Sequence, residues 1–197
     1  MSLSAVLDRR PIVVALAGPN GAGKSTFYEA YLAQTGLYFV NADVIALSLG
    51  IDAYEAARLA NELRNRLFEQ HESFIFETVL SDPIGEKVGF LADARHSGYT
   101  AVLIFIGLAG PELSDTRVAM RAASGGHDVP TQKLIERFPR TLNNLKLALA
   151  TVPKVLVYDH SDLERGYRLI ATLQEGQKID LVEPVPDWLR SLLPGAK

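Results

Sequence analysis

The residues best equipped for chemistry form one stretch, Gly18-Pro19-Asn20-Gly21-Ala22-Gly23-Lys24-Ser25, with Thr26 behind it. It reads G-x-x-x-x-G-K-[ST], a pattern whose backbone cradles phosphate. Glycines at 18, 21 and 23 permit conformations closed to side chains and bring N–H groups close to an anion. A helix beginning near Lys24 adds the partial positive charge of its N-terminus. In this pattern Lys24 reaches the β- and γ-phosphates and the Ser25 hydroxyl faces Mg²⁺, so residues 18–26, Asn20, Ala22 and Thr26 included, are expected to bind a nucleoside triphosphate. The bland alternative is a glycine-rich turn that binds nothing. Against it, the apolar run Ile12–Ala17 just before the loop supplies the strand-loop-helix context that the pattern requires.

Three further polar groups follow apolar runs: Asp43, Glu77-Thr78 and Asp159. In open α/β sheets ligands sit beyond the carboxyl ends of the strands, so these groups are expected beside the loop. Phosphoryl transfer needs an acceptor that is oriented and relieved of its proton, and a carboxylate beside the triphosphate can do both. Asp43 is the candidate base; the competing reading is a turn aspartate that caps the next segment. Glu77 either holds a substrate hydroxyl or positions metal-bound water, with Thr78 adding a hydrogen bond; the competing reading is a buried acid satisfied by backbone donors. Asp159 is placed near the nucleotide base, with a turn-forming role as its alternative.

Positive charge is also needed, because phosphoryl oxygens are stabilised in the transition state. Arg117, Arg121 and Ser124 share one helical face, and Lys133, Arg137 and Arg140 share another beyond Gly125-Gly126. Two basic faces joined by an elbow read as a lid near 117–140 that closes over triphosphate, although either face alone is equally a solvated charge run. His127 lies in the elbow, and His71, His96 and His160 show no metal-ligand spacing. Mg²⁺ delivered with ATP is therefore the one metal expected.

Apolar runs alternating with helical patterns position these groups. Strands are expected over 12–17, 36–40, 73–76, 101–106 and 154–158, with a terminal hairpin within 167–180. Helices are expected over about 24–34 and over 52–70, where Ala53, Ala56, Ala57, Ala60, Leu63 and Leu67 line the apolar side and Glu62 pairs with Arg66. Others start at Ser81 or Asp82, at Pro111 and at about 131, the last breaking near Pro139 and resuming to about 150. With the phosphate loop this is an α/β, three-layer P-loop NTPase fold: a mostly parallel sheet, helices on both faces and a small helical lid.

The 197 residues suit one domain, 1–197, and no repeat or long linker divides them. With 20 Lys+Arg against 23 Asp+Glu, the net charge of −3 argues against nucleic acid or an acidic membrane as partner. The absence of cysteine excludes disulfides, thiolate zinc sites and a thiol nucleophile. No signal peptide or apolar span is evident, so a cytoplasmic protein is expected.

Read together, these residues resemble the zeta-toxin-like kinases of bacterial chromosomes. The resemblance runs through Ala17–Phe27, Val40–Asp43, Phe76–Ser81, Arg117, Arg121, Gly125–Pro130 and Arg137–Arg140. It implies an ATP-dependent kinase acting on a sugar hydroxyl of UDP-N-acetylglucosamine or a related nucleotide sugar, and an antitoxin protein as a partner. It also implies that Asp43 is the base, that Glu77 and Thr78 hold the nucleotide sugar, and that Arg121 contacts the triphosphate. The second lid contact falls on Arg137 or, by another alignment of the elbow, on His127. Two alternatives stand beside this reading: a kinase of another small metabolite, and an ATPase or switch without an acceptor. Neither a Leu-Ser-Gly-Gly-Gln stretch nor Asn-Lys-x-Asp is present, which disfavours a transporter ATPase and a GTPase.

Overall fold

A computed structural model describes residues 6–123 and 129–193. Its centre is a seven-stranded sheet in the order β2-β3-β1-β4-β5-β6-β7. The strands are β1 (Ile12–Ala17), β2 (Tyr38–Val40), β3 (Phe74–Thr78), β4 (Thr100–Gly107), β5 (Lys154–Asp159), β6 (Arg168–Gln174) and β7 (Gln177–Leu181). The first five pair in parallel, and β6 and β7 add an antiparallel hairpin at one edge.

Strand β1 shows why the sheet is covered on both faces. Val13, Ala15 and Ala17 enter one core, while Ile12, Val14 and Leu16 enter the other, and all six are fully buried. Strand β4 divides in the same way, with Leu103 and Phe105 opposite Ile104 and Ile106. At about 1.5–3 kcal/mol for each fully buried aliphatic side chain, this two-sided burial is what fixes the strands.

The helices are α1 (Lys24–Phe27), α2 (Ala42–Leu49), α3 (Ala53–Glu69), α4 (Glu86–Ala94), α5 (Pro111–Ala123), α6 (Thr131–Thr151) and α7 (Asp187–Arg190). Four sequence expectations are corrected here. The expected helix over 24–34 is α-helical only in α1 and continues as a π-helical turn over Tyr28–Leu32 and a 3₁₀ turn over Ala33–Thr35. Helix α4 begins later than Asp82, whose Oδ1 instead accepts the Glu86 N–H at 2.5 Å. On α3 the inward side includes Ala56, Arg64 and Leu67, whereas Leu63 is exposed; Arg58, not Arg66, pairs with Glu62, at 2.6 Å. The Arg64 guanidinium is drawn inside because it lies over the Phe76 and Phe90 rings and meets Glu86 at 3.2 Å.

The fourth correction is at Pro139, where α6 runs on without a break. Proline forfeits one backbone hydrogen bond, but Pro139 and Ile135 lie on the exposed side, where water can satisfy the carbonyl left over. Leu134, Phe138, Thr141, Leu145 and Ala148 hold the opposite side in place. Helices α5 and α6 share a separate small core of Val118, Val129 and Leu134. The Gly125-Gly126 elbow and His127 lie outside the described residues.

The carboxyl ends of β4 and β5 are closed by α7. Trp188 donates from Nε1 to Asp159 Oδ1 at 2.9 Å, and its indole lies so close to Gly107 that a methyl group there would overlap it. Gly107→Ala should therefore expel the ring at a cost of about 1–3 kcal/mol. Trp188 is the one tryptophan in the chain, so a red-shifted intrinsic fluorescence with a lower Tm is the expected result. An unchanged emission spectrum would refute this packing.

Candidate active site

The loop between β1 and α1 lies at the carboxyl edge of the sheet, flanked by the ends of β3 and β4. Lys24 opens α1 yet is only 7% exposed, because its chain folds back along the loop. Its Nζ donates to Gly18 O at 3.0 Å and Pro19 O at 3.1 Å, and meets Glu77 Oε1 at 3.7 Å. Burial pushes the Lys24 pKa below its ordinary value; Glu77 and Asp43 oppose that shift, and Arg121 adds to it. Helix α5 thus brings the Arg121 charge within electrostatic reach of the loop.

Glu77, at the end of β3, is the hub of the site. Its Oε2 accepts from Asn41 Nδ2 at 2.8 Å and from Ser25 Oγ at 3.3 Å. Asn41 is buried at the end of β2, and its Oδ1 accepts the N–H groups of Asp43 and Val44 at 2.8 and 3.1 Å, capping α2. One amide side chain therefore joins the Glu77 carboxylate to the helix turn that carries Asp43, which is exposed. Asn41 appears in the motif Val40-Asn41-Ala42-Asp43, but a sequence alone does not show which carboxylate its second amide end will meet.

Thr78 Oγ1 accepts the Leu80 N–H at 3.0 Å, a bond that supports the turn in which Leu80 adopts a φ of +60°. Arg137 is half-buried on α6, next to Phe138, and no hydrogen bond ties it to the loop among the described residues. Asp159 is engaged by Ser161 Oγ at 2.6 Å as well as by Trp188. Those contacts give it a structural task at the end of β5. Thr26 and Ser25 are exposed on α1.

The back of the loop is held by residues to which sequence patterns gave no such role. Ser114 Oγ donates to Asn20 O at 2.7 Å, His160 Nδ1 lies 2.8 Å from Ala22 O, and Tyr167 OH donates to Gly23 O at 2.6 Å. The His160 and Tyr167 rings stack at 3.9 Å. Arg117, from α5, turns away from solvent to donate to Ser161 O at 3.1 Å. The signal for His160 was its position just after β5; histidine there resembles any turn residue until its ring is seen against the loop.

His160 is 8% exposed, and burial chiefly lowers its pKa from the ordinary 6.5, with Arg117 acting in the same sense. The folded state therefore binds this proton less readily than the unfolded chain. Its contribution to stability is complete above pH 6.5 and is lost as pH falls below that value. Chemical denaturation across this range should show a steeper acid-side loss for the wild type than for His160→Asn; parallel curves would contradict the assignment.

The site fits a triphosphate and a hard cation. The buried ammonium sits at the loop, and the Ser25 hydroxyl and Glu77 carboxylate are the oxygen donors that Mg²⁺ prefers. Among the described residues, no three of His, Cys, Asp and Glu come together as a metal site of their own. No described helix is long and apolar enough to cross a membrane.

Comparison with known proteins gives a consistent result. The family model for Zeta toxin matches residues 52–169, well over half of the chain, although the phosphate loop and Asp43 precede that span. An uncharacterized protein of Haemophilus influenzae is 28% identical over 115 residues, 56% of this chain and 80% of that protein. A chain in the crystal structure of AvrRxo1-ORF1:AvrRxo1-ORF2 with sulphate ions superposes with a TM-score of 0.70 at 19% identity, covering 92% of this chain and 65% of that one. The same complex with ATP gives 0.57 at 18% identity, covering 91% and 64%. A structure from the PezAT chromosomal toxin-antitoxin system of Streptococcus pneumoniae gives 0.56 at 19%, covering 84% and 75%. The chain thus spans just under two thirds of the AvrRxo1 complex chain, and at these identities the likeness is one of fold.

Proposed function

This chain belongs to the zeta toxin family, and from that premise we propose that it is an ATP-dependent kinase that phosphorylates a hydroxyl of a nucleotide sugar, UDP-N-acetylglucosamine or a close relative. One observation carries the proposal: Lys24 and Ser25 on the donor side share the Glu77 carboxylate with Asn41, the cap of the helix that presents Asp43. Donor and acceptor sides are joined through two side chains. The ATP-bound form of a structural neighbour is in keeping with ATP as donor.

In this reading the loop and Lys24 hold the triphosphate. The Asp43 carboxylate takes the proton of the acceptor hydroxyl as its oxygen attacks the γ-phosphorus. The bond from that phosphorus to the β–γ bridging oxygen breaks, and ADP leaves. Arg121 faces the charge that accumulates on the transferring group, and Arg137 joins it when the lid near 117–140 closes. Ser25 and Glu77 would hold Mg²⁺, which would supply charge neutralisation at the transferring phosphoryl group. Of the two roles open to Glu77, its contacts with Ser25 and Lys24 favour the metal side over the sugar. Thr78 has spent an acceptor lone pair on Leu80 and keeps its O–H for the acceptor.

An antitoxin partner belongs to the same reading, since the PezAT neighbour comes from a toxin-antitoxin system. The test is to incubate the protein with ATP, Mg²⁺ and a panel of nucleotide sugars and small hydroxylated metabolites, and to search for new phosphate esters by mass spectrometry. A phosphorylated UDP-N-acetylglucosamine is expected. Release of ADP with no phosphorylated acceptor would overturn the kinase reading.

A further inference from the structure

Five of the six carbonyls of residues 18–23 in the phosphate loop are taken by side chains. Lys24 Nζ accounts for Gly18 O and Pro19 O, at 3.0 and 3.1 Å. Ser114 Oγ takes Asn20 O at 2.7 Å, the His160 ring takes Ala22 O at 2.8 Å, and Tyr167 OH takes Gly23 O at 2.6 Å. A trans peptide is rigid and planar, with its C=O and N–H pointing in opposite directions. Fixing the carbonyls of residues 20, 22 and 23 outward therefore aims the N–H groups of Gly21, Gly23 and Lys24 the other way, into the cradle.

We propose that His160 and Tyr167, on the segment between β5 and β6, are positioning residues for the triphosphate, setting the peptide planes whose N–H groups receive its phosphates. The inference rests on the reading of residues 18–25 as a triphosphate site. Two observations add to the carbonyl bonds. The side chains press directly on the loop: a Cβ at Gly23 would lie 2.6 Å from Tyr167 OH and 3.0 Å from the His160 ring. They also brace each other by stacking, and Arg117 anchors their segment through Ser161 O. The bond to Ala22 O requires the proton on Nδ1, and burial favours the neutral ring.

The bond geometry distinguishes a donor at this position from mere bulk. Tyr167→Phe removes one hydroxyl and keeps the ring. His160→Leu removes the donor, whereas His160→Asn puts an amide N–H where Nδ1 stood. ATP binding in the presence of Mg²⁺, measured by calorimetry on the full chain, should weaken about fivefold in Tyr167→Phe and in His160→Leu, the loss expected of one net hydrogen bond of about 1 kcal/mol. His160→Asn should recover most of the affinity, and acceptor KM should stay unchanged in all three. Circular dichroism and Tm establish that each variant is folded; a role in stability alone would lower Tm and leave the ATP affinity of the folded protein untouched. Wild-type affinity in Tyr167→Phe and His160→Leu, alongside loss of binding in Lys24→Ala, would overturn the inference and preserve the triphosphate site. Equal weakening in His160→Leu and His160→Asn would also overturn it. A wild-type protein that binds ATP no better than Lys24→Ala would remove both.

Discussion

Asp43→Asn is expected to slow phosphoryl transfer by about 10²–10⁴-fold while ATP still binds, the loss typical when a general base is removed. The geometry explains why the two effects should separate. Asp43 stands in the first turn of α2, exposed, with its backbone N–H held by Asn41. It makes no part of the loop's own hydrogen bonding, which runs through Lys24, Ser114, His160 and Tyr167. Asparagine preserves the shape and removes the basic oxygen, so a folding defect is not expected. Steady-state kinetics with the phosphorylated acceptor as readout, paired with ATP calorimetry, would check both halves. Near-wild-type turnover would remove Asp43 from the role of base and return it to the helix turn.

Lys24→Ala should act on both steps at once. The substitution removes the ammonium that the proposed reading sets against the β- and γ-phosphates, and also the donor that holds Gly18 O and Pro19 O. It further leaves the 14%-exposed Glu77 without its cation. Loss of one positioned donor at a transferring group costs about 10²–10³-fold in rate, and here the cradle itself loosens, so kcat/KM should fall by at least that much and ATP affinity should drop with it. The contrast with Asp43→Asn is the informative part: one variant keeps ATP and loses transfer, the other loses both. If Lys24→Ala bound ATP normally, the loop would not be the donor site.

Much of this arrangement was legible in the residues. The phosphate loop is read from spacing because glycine conformation, a lysine and a hydroxyl are local requirements, met within eight consecutive positions. The strands were legible for a related reason: runs such as Ile12–Ala17 and Ala101–Ile106 are apolar at every position, and only burial on both faces accounts for that. Helix interiors were less legible. A periodic pattern places Leu63 inward, yet it is exposed, and two aromatic rings and Glu86 make its neighbour Arg64 the better-buried side chain. Pro139 was expected to break a helix whose buried side chains keep it continuous.

The sequence by itself determined the α/β order of elements, the loop at 18–25 and the family, since each depends on residue types at short or collinear spacing. Tertiary structure alone decided what surrounds the loop. The parallel register of β1 and β3 sets Glu77 against Ser25 and Lys24. Asn41, Ser114, His160 and Tyr167 are scattered along the chain, and they converge because parallel pairing brings the ends of β2, β4 and β5, and antiparallel pairing the start of β6, to the same edge of the sheet. Hydrogen bonds act over about 3 Å, a distance that chain separation does not encode and only the folded sheet supplies.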